Sequence, residues 1–346
     1  MRRVTAAAMV GAALLLAAGC SSSSAGTTSS GRGSGNTDPA PVTVRLGFLE
    51  NITHASALVG LKEGFFSQAL GSAGTLKPTA FSTGTQETVA ILAGQLDAAY
   101  VGPNPAINAW QKSGGSAIKI VSGAATGGAS VVVAKGITSA AQLKGKTLAT
   151  PSLGNTQDVA LRYWLKQNGL TTTTTGGGDA FVKPTTPNSA AVLEFKSGQI
   201  AGGSEPAPYD VEMVKDGGTV LLSEPGVTTL LVVAQSFLSA HPAVVADLLK
   251  AQVQANDFIK SNPAAAQADA NAELASFTGK ALSASIVAAA FKEITFTNDP
   301  DAASLTADAS QAVALGLLKP VNLSGIFDLS PLNNVLSAAG ESPVSS

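Results

Sequence analysis

Two α/β lobes of like construction, joined by a double-strand hinge, are the architecture this sequence predicts. Three observations carry it. The body from Val42 onward is about 300 residues, a size that suits two lobes rather than one core. Residues 94–106 (GQLDAAYVGPNPA) and 198–209 (GQIAGGSEPAPY) share one pattern: Gly-Gln, an aliphatic residue, small residues and a proline-studded turn. Such self-similarity marks a repeated supersecondary unit. The run-up to each copy also agrees, with 50 positions from Val44 to Gly94 and 52 from Lys146 to Gly198.

In the first unit, residues 42–49 (VTVRLGFL) alternate and are rich in β-formers. Asn51-Ile52-Thr53 then precedes a helical pattern from Ala55 through Phe66, giving strand, polar turn and helix. Thr83-Gly84-Thr85-Gln86 has capping-box spacing, and Val89, Leu92, Ala93 and Leu96 follow at helical intervals. Residues 98–101 form a short strand, and Asn104-Pro105 supplies an N-cap with proline at the first helical position. In the second unit, residues 146–151 (KTLATP) are a strand, residues 154–158 a polar turn, and Leu161, Trp164 and Leu165 mark a helix. Asn188-Ser189 opens a helix through Phe195, Gln199-Ile200 leads into a short strand, and Glu205-Pro206 marks the turn after it. Residues 126–130 leading into Val131-Val132-Val133, and residues 226–229 leading into Leu230-Leu231-Val232-Val233, are the expected crossings, their strands pairing as one hinge. After His241-Pro242 the chain is Ala-rich and helical to its end. The expected lobes are therefore residues 42–127 plus 238–346 and residues 128–237, with a cleft bounded by facing helix N-termini.

The first 41 residues are not part of that body. Arg2 and Arg3 precede an apolar run over residues 6–18, too short for the roughly 20 residues a spanning helix needs, so residues 1–20 are read as an export signal. Leu16-Ala17-Ala18-Gly19-Cys20 resembles a bacterial lipobox, with the leucine one place earlier than in the commonest pattern. The resemblance implies that Cys20 is diacylated and holds the protein to the outer face of the cytoplasmic membrane. Residues 21–41, mostly Ser, Gly and Thr, are a flexible tether with a reach of about 25 Å. Cys20 is the only cysteine, so the body has no disulfide, thiolate metal site or cysteine nucleophile. Without Arg2 and Arg3 the chain carries 19 basic residues against 23 acidic ones, and shows no basic face for nucleic acid.

Residues 92–106 (LAGQLDAAYVGPNPA), 127–133 (GGASVVV) and 143–157 (LKGKTLATPSLGNTQ), with the Glu205-Pro206 turn, occur in one order along the chain. Over about residues 44–260 the sequence resembles the substrate-binding lipoproteins of ABC importers, in the group of nitrate, aliphatic sulfonate, taurine and thiamine-pyrimidine receptors. The resemblance implies the two-lobed, periplasmic-binding-protein-like (type II) fold, a small solute held between the lobes, and delivery to permease and ATPase subunits by a monomer without cofactor. Two departures bear on the ligand. Pro208-Tyr209 stands where the family commonly has tryptophan, and the often aromatic strand before the turn reads Ala201-Gly202-Gly203-Ser204.

The same resemblance places the solute against the turns that follow the strands. The candidate contacts are Asn51, Thr53, His54, Thr83, Thr85, Gly102, Asn104, Thr126, Ser130, Asn155 and Thr156, with Glu205 across the cleft. Hydroxyls, amides and helix N-termini suit an anion, a sulfonate first and nitrate or taurine next. The same residues also suit plain helix capping. A neutral heterocycle is the alternative solute, and a sensor the alternative role. Glu205 is expected either to accept from the ligand or to pair with a lysine or arginine and hold its turn. Residues 171–178 (TTTTTGGG) read as a surface loop. No clustered aromatic wall appears near these turns, which argues against a caged quaternary amine. The related pyrimidine synthases need a histidine-rich iron site with a nearby cysteine. His54 and His241 are the only histidines and Cys20 is spent on the anchor, so a binding protein without catalytic or metal residues is expected rather than an enzyme.

Overall fold

The computed structural model describes residues 41–346. The expected signal peptide, the Cys20 anchor and all but the last tether residue lie outside the described residues. The body opens with β1 (Val42–Leu49), a 3-10 turn (Ile52–His54), α1 (Ala55–Lys62) and α2 (Phe65–Leu70). The single helix expected over Ala55 to Phe66 is divided at Gly64, whose φ of 73° is left-handed. There follow β2 (Gly74–Phe81), α3 (Gly84–Leu92), β3 (Ala98–Val101), α4 (Pro103–Lys112), β4 (Ile118–Gly127) and β5 (Ala129–Val133). The second unit is β6 (Thr147–Thr150), α5 (Thr156–Gln167), β7 (Phe181–Pro184), α6 (Asn188–Lys196), β8 (Gly202–Pro206), α7 (Tyr209–Lys215) and β9 (Thr219–Ser223). The chain then runs through β10 (Val227–Ala234), α8 (Gln235–Ala240), α9 (Pro242–Ser261), α10 (Pro263–Thr278), α11 (Ala284–Glu293), β11 (Ile294–Phe296), α12 (Ala302–Ala314) and α13 (Ser330–Ala338).

The strands form two sheets, ordered β11-β4-β10-β3-β1-β2 and β7-β6-β8-β5-β9. In the first, β2, β1 and β3 are parallel and β10 lies antiparallel to β3; in the second, β7, β6 and β8 are parallel and β5 lies antiparallel to β8. The repeat seen in the sequence is therefore real at the level of topology. Its Gly-Gln signature has a local cause. Gly94 and Gly198 follow the ends of α3 and α6 with φ of 68° and 74°. In both copies the following glutamine N–H reaches back to close the helix, Gln95 to the Ala90 carbonyl and Gln199 to that of Glu194, each at 2.9 Å. A left-handed residue there terminates a helix at least cost when it is glycine.

Both sheets are covered on both faces. Val44, Leu46 and Phe48 of β1 pack toward α1, α9 and α10, while Ala99 and Val101 of β3 pack with Ile107, Trp110 and Leu305 on the other side. In the second sheet Val131 and Val133 face Leu161 and Leu165 of α5, and Val132 faces Phe195 and Met213. Burial on two faces explains why the crossing strands are runs of valine and leucine rather than alternating.

The two crossing strands do not pair with each other as expected. β5 pairs with β8 and β9, while β10 pairs with β3 and β4. Thus β10, which falls inside the span expected for the second lobe (128–237), is a fully buried inner strand of the first sheet. What joins the crossings is main-chain contact at their centres: Gly127 N donates to Gly226 O at 2.9 Å, and Glu224 N to Ala129 O at 2.9 Å. Asn104 is not an N-cap either, because α4 begins at Pro103 with Gly102 as its cap.

The turn from β6 into α5 is held by a buried ion pair. Asp158 accepts from Arg162 Nε, Thr150 Oγ1 and Gly154 N, each at 2.9 Å. Arg162 donates onward to the carbonyls of Thr173 and Val182, and neither partner is more than 2% exposed. Removing one partner strands the other charge away from water, a loss of about 3–5 kcal/mol. Urea unfolding of Asp158→Ala should show that loss; a change below about 1 kcal/mol would mean that the pair does not hold the turn.

Candidate functional site

The carboxyl ends of the parallel strands of both sheets, and the helices that follow them, meet around one small cavity of about 30 Å³. Seven of the twelve expected contacts line it: Asn51, Thr53, His54, Thr83, Gly102, Asn155 and Thr156. Gly102 reflects the closeness of the two halves, since a Cβ there would stand 2.7 Å from Thr156 Oγ1, which would have to shift.

Three of these residues cap helices and face the cavity at once. Asn51 Oδ1 accepts from Thr53 N at 3.0 Å and from Thr53 Oγ1 at 2.7 Å. Thr83 Oγ1 accepts from Gln86 N at 3.3 Å, and Asn155 Oδ1 from Asp158 N at 2.9 Å. A cap uses an acceptor oxygen. The Asn51 amide N–H groups and the Thr83 hydroxyl proton therefore remain for the cavity. Asn155 gives one amide N–H to Gln157 Oε1 at 2.9 Å, which leaves the Gln157 amide N–H groups as further donors at that wall. His54 follows the same rule. Its Nδ1 accepts from Leu49 N at 3.2 Å, so the neutral ring carries its proton on Nε2. Burial pushes its pKa down to about 3, and the ring stays a neutral donor at physiological pH.

The lining is uncharged: among the described residues around this cavity there is no Lys, Arg, Asp or Glu. The first N–H groups of α3 and α5, which have no intrahelical partners, add partial positive charge. One acceptor stands against these donors, Asn188 Oδ1, which is buried without a partner among the described residues.

The other five expected contacts lie elsewhere. Thr85 sits at the rim, its hydroxyl 3.1 Å from that of Ser152 on the opposite side. Asn104 turns toward α12 and donates to the Asp308 main-chain carbonyl at 3.4 Å. Thr126 and Ser130 lie within β4 and β5, paired in their ladders. Glu205 stands beside Ser130 in the second sheet, fully buried, with both carboxyl oxygens unpartnered among the described residues. Burial first, then the charges of Asp210 and Glu224, raise its pKa well above the usual range. Burial favours its protonated form behind the wall, and among the described residues neither the lysine nor the arginine that could hold its turn pairs with it.

Sequence reasoning missed Gln157, Asn188 and Thr228 as cavity residues. Gln157 was within reach, since it stands in the polar turn 154–158. Asn188 is the first residue of α6 rather than its cap, so a capping rule does not single out its side chain.

Comparison with known proteins places this geometry. No curated protein matches the chain in sequence. Among solved structures, the alkanesulfonate-binding protein SsuA from Xanthomonas axonopodis pv. citri, bound to MOPS, aligns with a TM-score of 0.70 at 18% identity, over 85% of this chain and 100% of that one. The periplasmic nitrate-binding protein NrtA from Synechocystis PCC 6803 aligns at 0.72 and 14% identity, over 86% and 89%. The periplasmic aliphatic sulphonate binding protein SsuA from Escherichia coli aligns at 0.63 and 18% identity, over 80% and 87%. These likenesses show the periplasmic-binding-protein fold. The profile of the NMT1-like family matches residues 37–276, and the chain belongs to that family.

Proposed function

We propose that this protein is the extracytoplasmic solute-binding component of an ABC importer, tethered by a lipid on Cys20 and delivering a small anion to permease and ATPase subunits. The single observation that carries the anion is the polarity of the cavity. Capping consumes lining oxygens and leaves N–H and O–H donors at Asn51, His54, Thr83 and Gln157. Donors fixed in a site shielded from water favour a group that accepts several hydrogen bonds. The structural neighbours support the choice, being named for binding alkanesulfonate, nitrate and sulphonate. A sulfonate headgroup is the first assignment. The role is capture and release without chemistry by a monomer, the two halves closing on the solute about the crossings at Gly127 and Gly226. Mass spectrometry of the native N-terminus checks the anchor, an unmodified end beyond Cys20 counting against it.

A thermal-shift panel of sulfonates, nitrate and neutral heterocycles tests the assignment. An anion at a thousand times its Kd stabilises the native state by about 4 kcal/mol. Asn155→Asp keeps the cap on α5 and places a carboxylate in the cavity, and should abolish the response. Gly102→Ala should weaken binding about tenfold, roughly 1.4 kcal/mol, by holding Thr156 away, and adding Thr156→Ala should recover most of it. A panel silent to every anion and answering to uncharged heterocycles overturns the assignment.

His54 predicts a pH signature. Its folded pKa of about 3 lies below the ordinary 6.5, so the unfolded chain binds the extra proton between those values. The stability this represents is complete above pH 6.5 and is lost as pH falls toward 3. The buried Glu87, Glu205 and Asp210, with raised pKa values, act in the opposite sense, so the comparison must be with His54→Gln. Between pH 6.5 and about 4 the wild type should lose up to about 3 kcal/mol relative to that variant. Parallel pH profiles for the two proteins would show that His54 does not titrate this way.

A further inference from the structure

Next to the anion cavity, and sharing Thr156 and Thr228 with it, lies a second cavity of about 410 Å³. It opens to solvent and is bounded by α5, α12 and the return crossing over residues 222–228. Leu222, Pro225 and Val227 make much of its wall apolar, and Tyr163 and Trp164 bring two aromatic rings from α5. The aromatic pair that the sequence lacks near the strand-end turns is present here, on a helix. Two carboxylates enter the same space, Glu224 from the crossing and Asp308 from α12. Ser204 Oγ donates to Glu224 Oε1. Among the described residues, Asp308 Oδ2 is buried with no partner and no lysine or arginine lines the cavity.

We propose that this second cavity binds an organic ammonium group, seated between the Glu224 and Asp308 carboxylates and beside the Tyr163 and Trp164 rings. A buried carboxylate oxygen without a donor is unfavourable until something donates to it. An ammonium brings both the N–H groups and the charge the pair lacks. Aromatic rings attract a desolvated cation through their quadrupoles, and the apolar wall takes the carbon body. Burial already lifts Glu224 to about 7 and Asp308 to about 8, the charges of Glu224 and Asp301 adding to the rise at Asp308. A cation would reverse that rise by favouring both ionised forms. The ammonium has two sources: a separate amine, or the far end of a solute whose oxyanion occupies the first cavity.

Calorimetric titration of the whole folded protein at pH 8 distinguishes them. The probes are 2-phenylethylamine against 2-phenylethanol, and N-cyclohexyl-2-aminoethanesulfonate against 2-cyclohexylethanesulfonate. At least one ammonium probe should bind ten times more tightly than its uncharged-tail partner. A preference with the amine alone identifies a separate ligand, and one seen only with the sulfonates identifies a single zwitterionic solute. In Glu224→Gln/Asp308→Asn the preference should fall below twofold. Trp164→Leu should lower it as well, which keeps the test open if the double variant does not fold. Methanesulfonate, titrated alongside, reports on the anion assignment separately, so its failure leaves the ammonium result interpretable. Equal binding of each charged and uncharged pair, absence of binding by both ammonium probes, or a preference unchanged in the variants overturns the proposal.

Discussion

The hydrogen bond from Gly127 N to Gly226 O fixes the two points at which the chain passes between its sheets, and the remaining architecture is arranged around it. On one side of it β4 and β10 run antiparallel in the first sheet, and on the other β5 and β9 run antiparallel in the second. Thr228 Oγ1 donates to Gly127 O at 2.8 Å, so the crossings are bound side by side through side chain as well as main chain. Gly127 and Gly128 both have left-handed φ, a conformation that would cost a residue with a Cβ about 1–2 kcal/mol. The parallel strands of each sheet then point their carboxyl ends at the same gap, which is where open α/β sheets place ligands.

Within that gap one rule recurs. A capping side chain satisfies a helix with its oxygen and has its hydrogens left over, so the residues that begin α3 and α5 cap with one atom and leave another for the cavity. The capping and binding interpretations of Asn51 and Thr83 are therefore not alternatives. Asn155 obeys the rule indirectly, since its spare N–H orients Gln157. The Asp158–Arg162 pair extends it one layer further out, because the carboxylate that anchors the turn also receives the Gly154 main-chain N–H.

Local signals in the sequence were legible and non-local ones were not. The duplicated unit, β1, β3 and the start of α3 rest on neighbouring residues, and the structure has them where periodicity and capping put them. The strand β2, with Pro78 in its middle, escaped notice because proline weakens a strand signal; as the edge strand of its sheet it tolerates that residue. The sheet to which β10 belongs depends on partners more than 100 residues away, such as Ser122 opposite Leu231, and no local pattern encodes that choice. Among the expected contacts, Asn51, Thr83 and Asn155 were identifiable because capping aims a side chain in a known direction. Asn104, Ser130 and Glu205 were not, because facing the cavity or the layer behind it is decided by register and strand twist. The raised pKa of Glu205 follows from burial, which composition does not reveal.

The uncharged lining of the first cavity has a kinetic and an environmental consequence. Contact between an anion and fixed dipoles acts over a few ångströms, well inside the roughly 8 Å over which physiological salt screens charge. Retention of the solute should thus be nearly indifferent to ionic strength. A site without formal charge, on a chain with 23 acidic residues against 21 basic ones, also exerts no long-range pull on a negative solute, so encounter proceeds at the unsteered diffusive rate. Under the proposed assignment, such a site would hold an anion in surroundings whose salinity changes, rather than gather it quickly from a distance.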